Sequence, residues 1–437
     1  MGSIHKKNYR KKGITRREFL KTSAVSLLGL GAGSHLIPRA AHAQKAPIRI
    51  EGISSFTGRS AVTGVTTRDA VLMWAEGLNA KGGLLGRKIE VRFRDSQVKI
   101  EESTRLARAA AASKEADLLL DCCSSLESFG VKEVSRDLKM LTITGTSKTT
   151  ELTADPKTFS PFHFRSSPSN IHDMAAGAKY AADICKKNGW KRWAMIAPDY
   201  AYGRENVMFF VRFLKIFYPE AEIVAEVWPK LYEPDFTPYI NKIMGAKVDA
   251  CFTSQWGGDI VALLEQGGLY GFSDKVKIFS IDLGDFTAIN PVIKAFGKFP
   301  PGIFMGTRSN PIVPDTKLNS DWFYAFQKRF NYEPSGWSQQ TYTACLFYQK
   351  AVEKAGTTDQ NAVRAALENL EIICPWGTPP GQKCVMRGRD HQIILYTEAW
   401  GKTISKMPYV EEVLTMSWDD IIKVESDWLK EKGWLKT

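Results

Sequence analysis

The residues of this chain that could act on another molecule are hydroxyl and aromatic side chains in six short segments. Ser, Thr, Gly and aromatic residues dominate these segments, with a few charged residues among them, and this mixture suits a small polar solute held by hydroxyl groups and backbone amides. The segments span residues 54–60, 122–125, 145–150, 199–203, 254–258 and 282–285. The chemistry that they indicate is recognition of a small molecule.

Residue patterns that support catalysis or metal binding are missing after residue 43. That part of the chain has no Gly-x-Ser-x-Gly, His-Glu-x-x-His or Cys-x-x-Cys sequence, and no Ser-x-x-Lys with its partner motifs. Its histidines, His163, His172 and His391, do not have the spacing of metal ligands. We therefore expect no enzyme, no metal site and no cofactor.

Alternating strands and helices would position the six segments. Apolar strands such as 48–53, 117–121 and 193–198 are each followed by an amphipathic helix. Repeated βα units predict parallel sheets covered by helices on both faces. Loops after the carboxyl ends of such strands line a crevice. A break before strand 162–165 separates two βα sets, which predicts two similar lobes with a cleft between them.

The first 43 residues have the regions of an export leader. Thr15-Arg16-Arg17-Glu18-Phe19-Leu20-Lys21 matches the twin-arginine pattern, an apolar run rich in Ala, Gly and Ser follows, and Ala41-His42-Ala43 is a small-x-small cleavage site. We predict cleavage after Ala43, a periplasmic location and no membrane anchor after cleavage. The alternative is a basic N-terminus that contains two arginines by chance.

The leader also accounts for most of the positive charge. It holds nine Lys and Arg and one Glu, a net charge of +8, whereas the net charge of the 437-residue chain is +12. The small excess that remains gives little support to a nucleic-acid partner, and we expect none. The 394 residues after the leader are a natural length for two domains.

Two of the seven cysteines are candidates for a disulfide. Cys374 and Cys384 flank a loop rich in Pro and Gly, and closing this loop would contribute on the order of 2–3 kcal/mol in an oxidising compartment. The alternative is two unrelated thiols. Cys122 and Cys123 are adjacent in sequence, and adjacent cysteines rarely form a bridge.

Five motifs lie at the strand ends and turns of this pattern: Phe56-Thr57-Gly58, Asn79-Ala80-Lys81-Gly82-Gly83, Cys122-Cys123-Ser124-Ser125, Glu151-Leu152-Thr153 and Tyr202-Gly203. Together they make the chain resemble the leucine/isoleucine/valine-type solute-binding proteins of bacterial ABC importers. The resemblance implies the type I periplasmic binding protein fold, an α/β fold in which two parallel-sheet lobes, joined by three hinge crossings, close on a ligand in the cleft. It also implies an ABC permease that accepts the closed form.

The resemblance extends to about residue 400 and suggests domain boundaries. We expect lobe 1 to contain residues 46–163 and 298–375, and lobe 2 to contain residues 164–297 and 376–400. Residues 401–437 extend past the resemblance, and our expectation for them is an amphipathic helix that covers one lobe.

The resemblance also implies which residues would meet a ligand carboxylate. By position they are Ser124, Ser125, Thr146, Ser147 and Lys148. Lys148 replaces the Thr that is usual in the family, and its charge would favour an anionic ligand unless the side chain points to solvent. Tyr202 would close over the ligand from the second lobe, unless it packs at the start of a helix.

The ligand class depends on two further positions. Amino-acid binders of this family place an acid after the strand that ends near Ile281, where it pairs with the ligand ammonium. Leu283 matches that position here, and Asp282 lies beside it. If Asp282 takes the role, an amino acid remains a candidate; otherwise a buried ammonium would lack a partner. An aromatic carboxylate stacked on cleft rings is then expected, with Trp256 as the main ring unless it is a core residue.

These expectations combine into one function. The sequence predicts the periplasmic solute-binding component of an ABC importer, which captures a small carboxylate, an amino acid or related compound, by hinge closure. The alternatives are a binder of an aromatic carboxylate, and a sensor that presents its ligand to a membrane receptor.

Overall fold

The first sheet contains five parallel strands in the order β2-β1-β3-β4-β5. The computed structural model describes residues 46–435, so the expected leader lies outside the described residues. The elements of this part are β1 (Ile48–Ser54), α1 (Ala61–Asn79), β2 (Ile89–Asp95), α2 (Ile100–Ser113), β3 (Leu118–Cys122), α3 (Ser125–Leu138), β4 (Thr142–Thr144), α4 (Glu151–Ala154) and β5 (His163–Arg165). Apart from the short helix α4, which the sequence did not predict, these strands and helices follow the predicted alternation.

A second set of βα units follows and forms a separate sheet. Its elements are α5 (Asn170–Asn188), β6 (Arg192–Ile196), α6 (Ala201–Phe217), β7 (Glu222–Val227), α7 (Thr237–Gly245), β8 (Ala250–Thr253), α8 (Gly258–Gly268), α9 (Phe272–Lys275), β9 (Lys277–Ser280), α10 (Phe286–Phe296) and β10 (Phe304–Gly306). All five strands are parallel, because a helix between each strand and the next returns the chain to the same edge.

The chain then returns to the first lobe. The elements of this return are α11 (Lys317–Phe330), α12 (Gly336–Ala355), α13 (Gln360–Leu367), β11 (Leu370–Thr378), β12 (Lys383–Met386) and β13 (Ile393–Ile394). Helix α12 packs against α1 and β3, and the three strands form a small antiparallel sheet beside α11 and α12.

The last segment completes the second lobe. It consists of β14 (Ala399–Thr403), β15 (Val410–Thr415) and α14 (Trp418–Glu431). Strand β14 pairs antiparallel with β10, and β15 pairs antiparallel with β14, so the second sheet has the order β15-β14-β10-β9-β8-β6-β7. Helix α14 packs against α5. Among the helices at residues 46–435, none is long and apolar enough to span a membrane.

The structure corrects the expected lobe boundaries. The chain passes between the lobes three times, at residues 166–169, 307–316 and 395–398. Strand β10 belongs to the second sheet, because Phe304 pairs with Phe279, although residues 298–375 were expected in lobe 1. Conversely, β12 and β13 pair with β11 beside lobe 1, although residues 376–400 were expected in lobe 2. The expected extension at 401–437 begins inside β14 and adds β15 to the sheet as well as a helix.

Candidate functional site

The loops after the parallel strands of both sheets meet in a cleft between the lobes. The space enclosed there, including the part open to solvent, is about 500 Å³. Its lining residues are Ser55, Ser60, Thr63, Val98, Cys122, Cys123, Ser124, Ser125, Glu127, Thr146 and Trp337 from the first lobe, and Tyr200, Tyr202 and Trp256 from the second. Five of the eight ligand-binding residues expected from the sequence, Ser124, Ser125, Thr146, Tyr202 and Trp256, therefore line one pocket.

The start of helix α3 forms the polar wall of this pocket. Ser124 directly precedes α3, and the carboxylate of Glu127 lies one turn further along the helix. The backbone N–H of Ser124 donates to Glu127 Oε2 over 3.0 Å, and the Ser124 hydroxyl donates to the same oxygen over 2.7 Å. Ser124 was expected to meet a ligand carboxylate, and both of its donors are already bound to a side chain of the protein.

The next three expected residues hold the loop after β4 in place. The hydroxyls of Thr146 and Ser147 donate to the carbonyl oxygen of Cys123, over 2.6 and 3.0 Å. Ser125 Oγ accepts the backbone N–H groups of Lys148 and Thr149 over 3.2 and 3.3 Å. Thr146 lines the pocket, whereas Ser147 lies behind it and bonds to Ser128.

Lys148 points neither into the pocket nor to solvent. Its Nζ lies 2.7 Å from Asp173 Oδ2, and both side chains are almost fully buried. Burial lowers the pKa of Lys148, and the nearby charge of Arg308 lowers it further. For Asp173, burial favours the neutral acid, but Lys148 and Arg308 reverse this and hold its pKa below the usual range. The positive charge expected beside the ligand is thus neutralised inside the protein.

Asp282 is also engaged with the protein. Arg308 Nε lies 2.7 Å from its Oδ1, and the Tyr202 hydroxyl donates to its Oδ2 over 2.5 Å. Burial raises the pKa of Asp282, while the charge of Arg308 opposes that rise. The neighbouring Leu283 is fully buried. Neither residue of this loop lines the pocket, so neither is placed to meet a ligand ammonium.

Aromatic rings from both lobes form the apolar wall. The Trp256 indole N–H donates to the Tyr200 hydroxyl over 3.0 Å, and Tyr200 lies 5.9 Å from Tyr202 between ring centroids. Trp337, at the start of α12, meets Trp256 edge-on at 6.1 Å and 65°. Among residues 46–435, no acceptor bonds to the Trp337 indole N–H. The rings therefore surround the pocket and include one unused donor.

Sequence reasoning missed Trp337 and Glu127 as pocket residues. Trp337 follows the Pro334-Ser335-Gly336 turn far from the βα loops, so only tertiary packing brings it to the cleft. Glu127 is the fourth residue of the pattern Ser124-x-x-Glu, which signals a capping box at a helix start. That signal explains the bond to Ser124, but the proximity to the pocket requires the fold.

The two lobes touch across the cleft in this structure. Arg59, in the loop after β1, lies 3.1 Å from Asp259 at the start of α8. The backbone N–H of Thr150 in the first lobe donates to Glu205 Oε2 in the second over 2.6 Å. An ion pair and a hydrogen bond thus connect the lobes across the cleft.

Cys374 and Cys384, the pair expected to form a disulfide, lie side by side. Their sulfur atoms are 3.0 Å apart, and both are free thiols in this structure. The β11–β12 hairpin brings them together, since Ile372 pairs with Cys384. The disulfide itself stays a prediction. Within the described part of the chain, no group of three or more His, Cys, Asp or Glu side chains could hold a metal ion.

A family model described as periplasmic binding protein matches residues 47–397. The chain belongs to this family. The match covers every residue of the pocket and ends before β14, and the family implies a periplasmic location. Solute binding for ABC transporters, rather than catalysis, is what proteins of this family do.

Individual relatives of this periplasmic binding protein agree with the family assignment. Leu/Ile/Val-binding protein homolog 4 of Brucella abortus is 26% identical over 389 residues, which cover 83% of this chain and 86% of the relative. A solute-binding protein of an ABC transporter from Rhodopseudomonas palustris, solved with 3,4-dihydroxybenzoic acid, has a TM-score of 0.73 at 20% identity, over 85% of this chain and 96% of that one. A leucine-, isoleucine-, valine-, threonine- and alanine-binding protein from Brucella ovis, in closed conformation, has a TM-score of 0.70 at 22% identity, over 85% and 94%.

Proposed function

We propose that this protein captures a small aromatic carboxylate between its lobes and delivers it to the permease of an ABC importer. The observation that carries the proposal is the convergence of Tyr200, Tyr202, Trp256 and Trp337 on one interlobe pocket. Flat apolar ligands stack favourably against such rings, and each good aromatic pair contributes about 0.5–1.5 kcal/mol beyond its buried area. The solved relative with 3,4-dihydroxybenzoic acid is consistent with this ligand class.

The carboxylate of such a ligand would lie at the start of α3. The first N–H groups of a helix have no acceptor within the helix, and the helix dipole favours negative charge at that end. Ser124, Ser125 and Thr146 line the pocket there. The hydroxyls of Ser55, Ser60 and Thr63 provide further partners for polar substituents.

An amino acid is the second candidate, and Glu127 favours it. Asp282 is paired with Arg308, so Glu127 is the acid that lines the pocket and could meet an ammonium group. The relatives named for leucine, isoleucine and valine belong to this class. The two candidates differ in one feature, because only the amino acid carries a positive charge for Glu127.

Calorimetric titration of the purified protein tests the two candidates. The panel is benzoate, 4-hydroxybenzoate, leucine and valine. We expect dissociation constants in the micromolar range or below for the aromatic acids, and at least about tenfold weaker binding of benzoate by Trp256→Leu. Trp190→Leu is the control, because Trp190 lies beside Phe304 and outside the pocket. Binding of leucine and valine without binding of the aromatic acids would replace the first candidate with the second.

Transport requires a cellular measurement. In a strain that lacks this protein, uptake of labelled benzoate should fall, and expression of the full chain should restore it. Trp256→Leu should fail to restore uptake, whereas Trp190→Leu should restore it. Unchanged uptake in the deletion strain, together with tight binding in vitro, would favour a sensor over a transport component.

We also propose export through the twin-arginine pathway. The pattern at Arg16 and Arg17 and the cleavage site at Ala41-His42-Ala43 support it. N-terminal sequencing of the periplasmic protein should begin at Gln44, and replacement of both arginines by lysine should leave the precursor in the cytoplasm. Export of the double variant at the normal rate would contradict the proposal.

A further inference from the structure

Glu127 binds the Ser124 donors beside which the proposed function places a ligand carboxylate. Its Oε2 accepts both the N–H and the hydroxyl of Ser124, and its side chain lines the pocket. Its second oxygen, Oε1, lies beside Ser96 and has no hydrogen bond of good geometry among residues 46–435. The residue is 1% exposed. The pocket therefore already contains one carboxylate at the start of α3.

Among residues 46–435, the groups around Glu127 do not compensate the negative charge of its carboxylate. Within the described residues, no Lys, Arg or His forms an ion pair with it. The titratable groups that face it are Asp121 and Cys123 around β3 and Tyr232 in the loop after β7, and none of them is a cation. Two cations on adjoining loops are bound elsewhere, Arg59 to Asp259 and Lys99 to Gln97. Burial raises the pKa of Glu127, and Asp121 raises it further.

We propose that Glu127 is a specificity-determining residue that couples carboxylate capture to the uptake of one proton. The inference rests on the proposed function. Two carboxylates that compete for the N–H and the hydroxyl of Ser124 cannot both stay ionised in a buried site. The ligand carboxylate takes the hydrogen bonds of Ser124, and Glu127 becomes the neutral acid.

The proton balance of this step is simple. One proton leaves the buffer and forms an O–H bond on Glu127, and no other covalent bond forms or breaks. The protonated Glu127 keeps a hydrogen-bond donor for the ligand or for Ser96, so the buried group remains satisfied. The pocket thereby accepts a ligand with one negative charge and gains no net charge from the exchange. A second carboxylate on the ligand would lack this compensation and is disfavoured.

Titration calorimetry with benzoate, whose single carboxyl stays ionised between pH 6.5 and 8.5, tests the proposal. Repeating it in buffers of different ionisation enthalpy measures the protons taken up. We expect close to one proton for each benzoate bound, and a dissociation constant that rises up to about tenfold for each pH unit. In Glu127→Gln the uptake and the pH dependence should vanish, and benzoate should bind at least about fivefold more tightly at pH 8. Gln retains the acceptor for the Ser124 N–H, so the helix start stays capped.

The outcomes separate this inference from the proposed function. Glu133→Gln, which changes an acid of the same helix paired with Arg136, should behave as the unmodified protein. Binding of benzoate by the unmodified protein without proton uptake overturns the role of Glu127 and leaves the proposed function standing. If Glu127→Gln binds benzoate and the unmodified protein does not, the result supports competition between Glu127 and the ligand carboxylate for Ser124. If neither protein binds benzoate or 4-hydroxybenzoate, the proposed function fails, and the inference fails with it.

Discussion

The hydroxyl of Tyr202 donates a hydrogen bond to Asp282 over 2.5 Å, and Asp282 is at the same time the partner of Arg308 at 2.7 Å. Tyr202 lines the pocket, whereas Arg308 lies in the second connection between the lobes. Arg308 also lies 3.2 Å from Asp173, which binds Lys148. A residue of the ligand pocket is thus linked through buried charges to the region in which the lobes are joined.

Removal of the Tyr202 hydroxyl should destabilise the fold without removing the ring from the pocket. In Tyr202→Phe, the buried Asp282 loses a donor but keeps Arg308, and we expect the free energy of unfolding to fall by about 1–3 kcal/mol. The affinity for benzoate should change less than threefold. Urea unfolding and calorimetry measure the two quantities. Tyr324→Phe, at a half-exposed tyrosine, is the control and should change neither.

The buried pair of Lys148 and Asp173 should stabilise the fold, and Lys148 should not contribute to the binding of an anionic ligand. In Asp173→Asn, Lys148 and Arg308 lose a shared buried partner, and we expect a loss of about 3–5 kcal/mol in the free energy of unfolding. In Lys148→Met, the affinity for benzoate should stay within about threefold, because Asp173 already neutralises the lysine. A loss of tenfold or more would show that Lys148 acts on the ligand carboxylate. Lys179→Met, which breaks an exposed pair with Asp183, is the control.

Arg59 should hold the lobes closed over the ligand. It reaches across the cleft to Asp259, which is buried and which also accepts the backbone N–H of Tyr232. In Arg59→Gln we expect a three- to tenfold faster dissociation of benzoate, because the open form becomes more populated, with little change in association. Stopped-flow measurements separate the two rates. Arg68→Gln is the control, because Arg68 pairs with its own neighbour Asp69. Equal dissociation rates in both variants would remove Arg59 from the closing contact.

The interlobe contact of Glu205 should make stability depend on pH. Burial raises the pKa of Glu205 to about 7, despite the hydrogen bonds from Thr150 and Asn170. A carboxyl whose pKa is raised on folding makes its full contribution to the free energy of unfolding below its unfolded pKa of about 4.3. This contribution is lost as the pH rises through 7. Glu205→Gln keeps an acceptor without the charge, so it should be more stable than the unmodified protein by about 3 kcal/mol at pH 8 and equally stable at pH 4. Unfolding midpoints at the two pH values test the sign, and a variant less stable at pH 8 would contradict it.

The C-terminal helix α14 should stabilise the fold through the buried carboxylate of Glu425. This carboxylate lies 2.8 Å from His172 in the second lobe and 2.7 Å from Arg387 beside the first. Burial alone would raise its pKa, but the charges of both partners hold the pKa well below the usual range. Glu425→Gln should therefore lower the free energy of unfolding by about 3 kcal/mol or more. Asp427→Asn, on the exposed face of the same helix, is the control and should have an effect below about 0.5 kcal/mol.

The sequence by itself determined the alternation of strands and helices and the position of the binding loops. Parallel βα units place all post-strand loops at one edge, so the sequence alone assigns Ser124, Thr146, Tyr202 and Trp256 to one cleft. Short-range patterns suffice for this, because the period of apolar residues and the turn residues are local properties. The proximity of Cys374 and Cys384 is predictable for the same reason, since a short hairpin separates them.

Only the tertiary structure decided which charges face the ligand. Lys148 and Asp282 are in the expected loops, yet Asp173 and Arg308 bind them from elements far away in sequence. The same holds for Trp337, which reaches the pocket from a helix of the returning chain, and for β10, whose lobe depends on its pairing with β9. A buried charge interacts most strongly with the opposite charges within a few ångströms of it. Long-range packing determines which side chains lie at that distance.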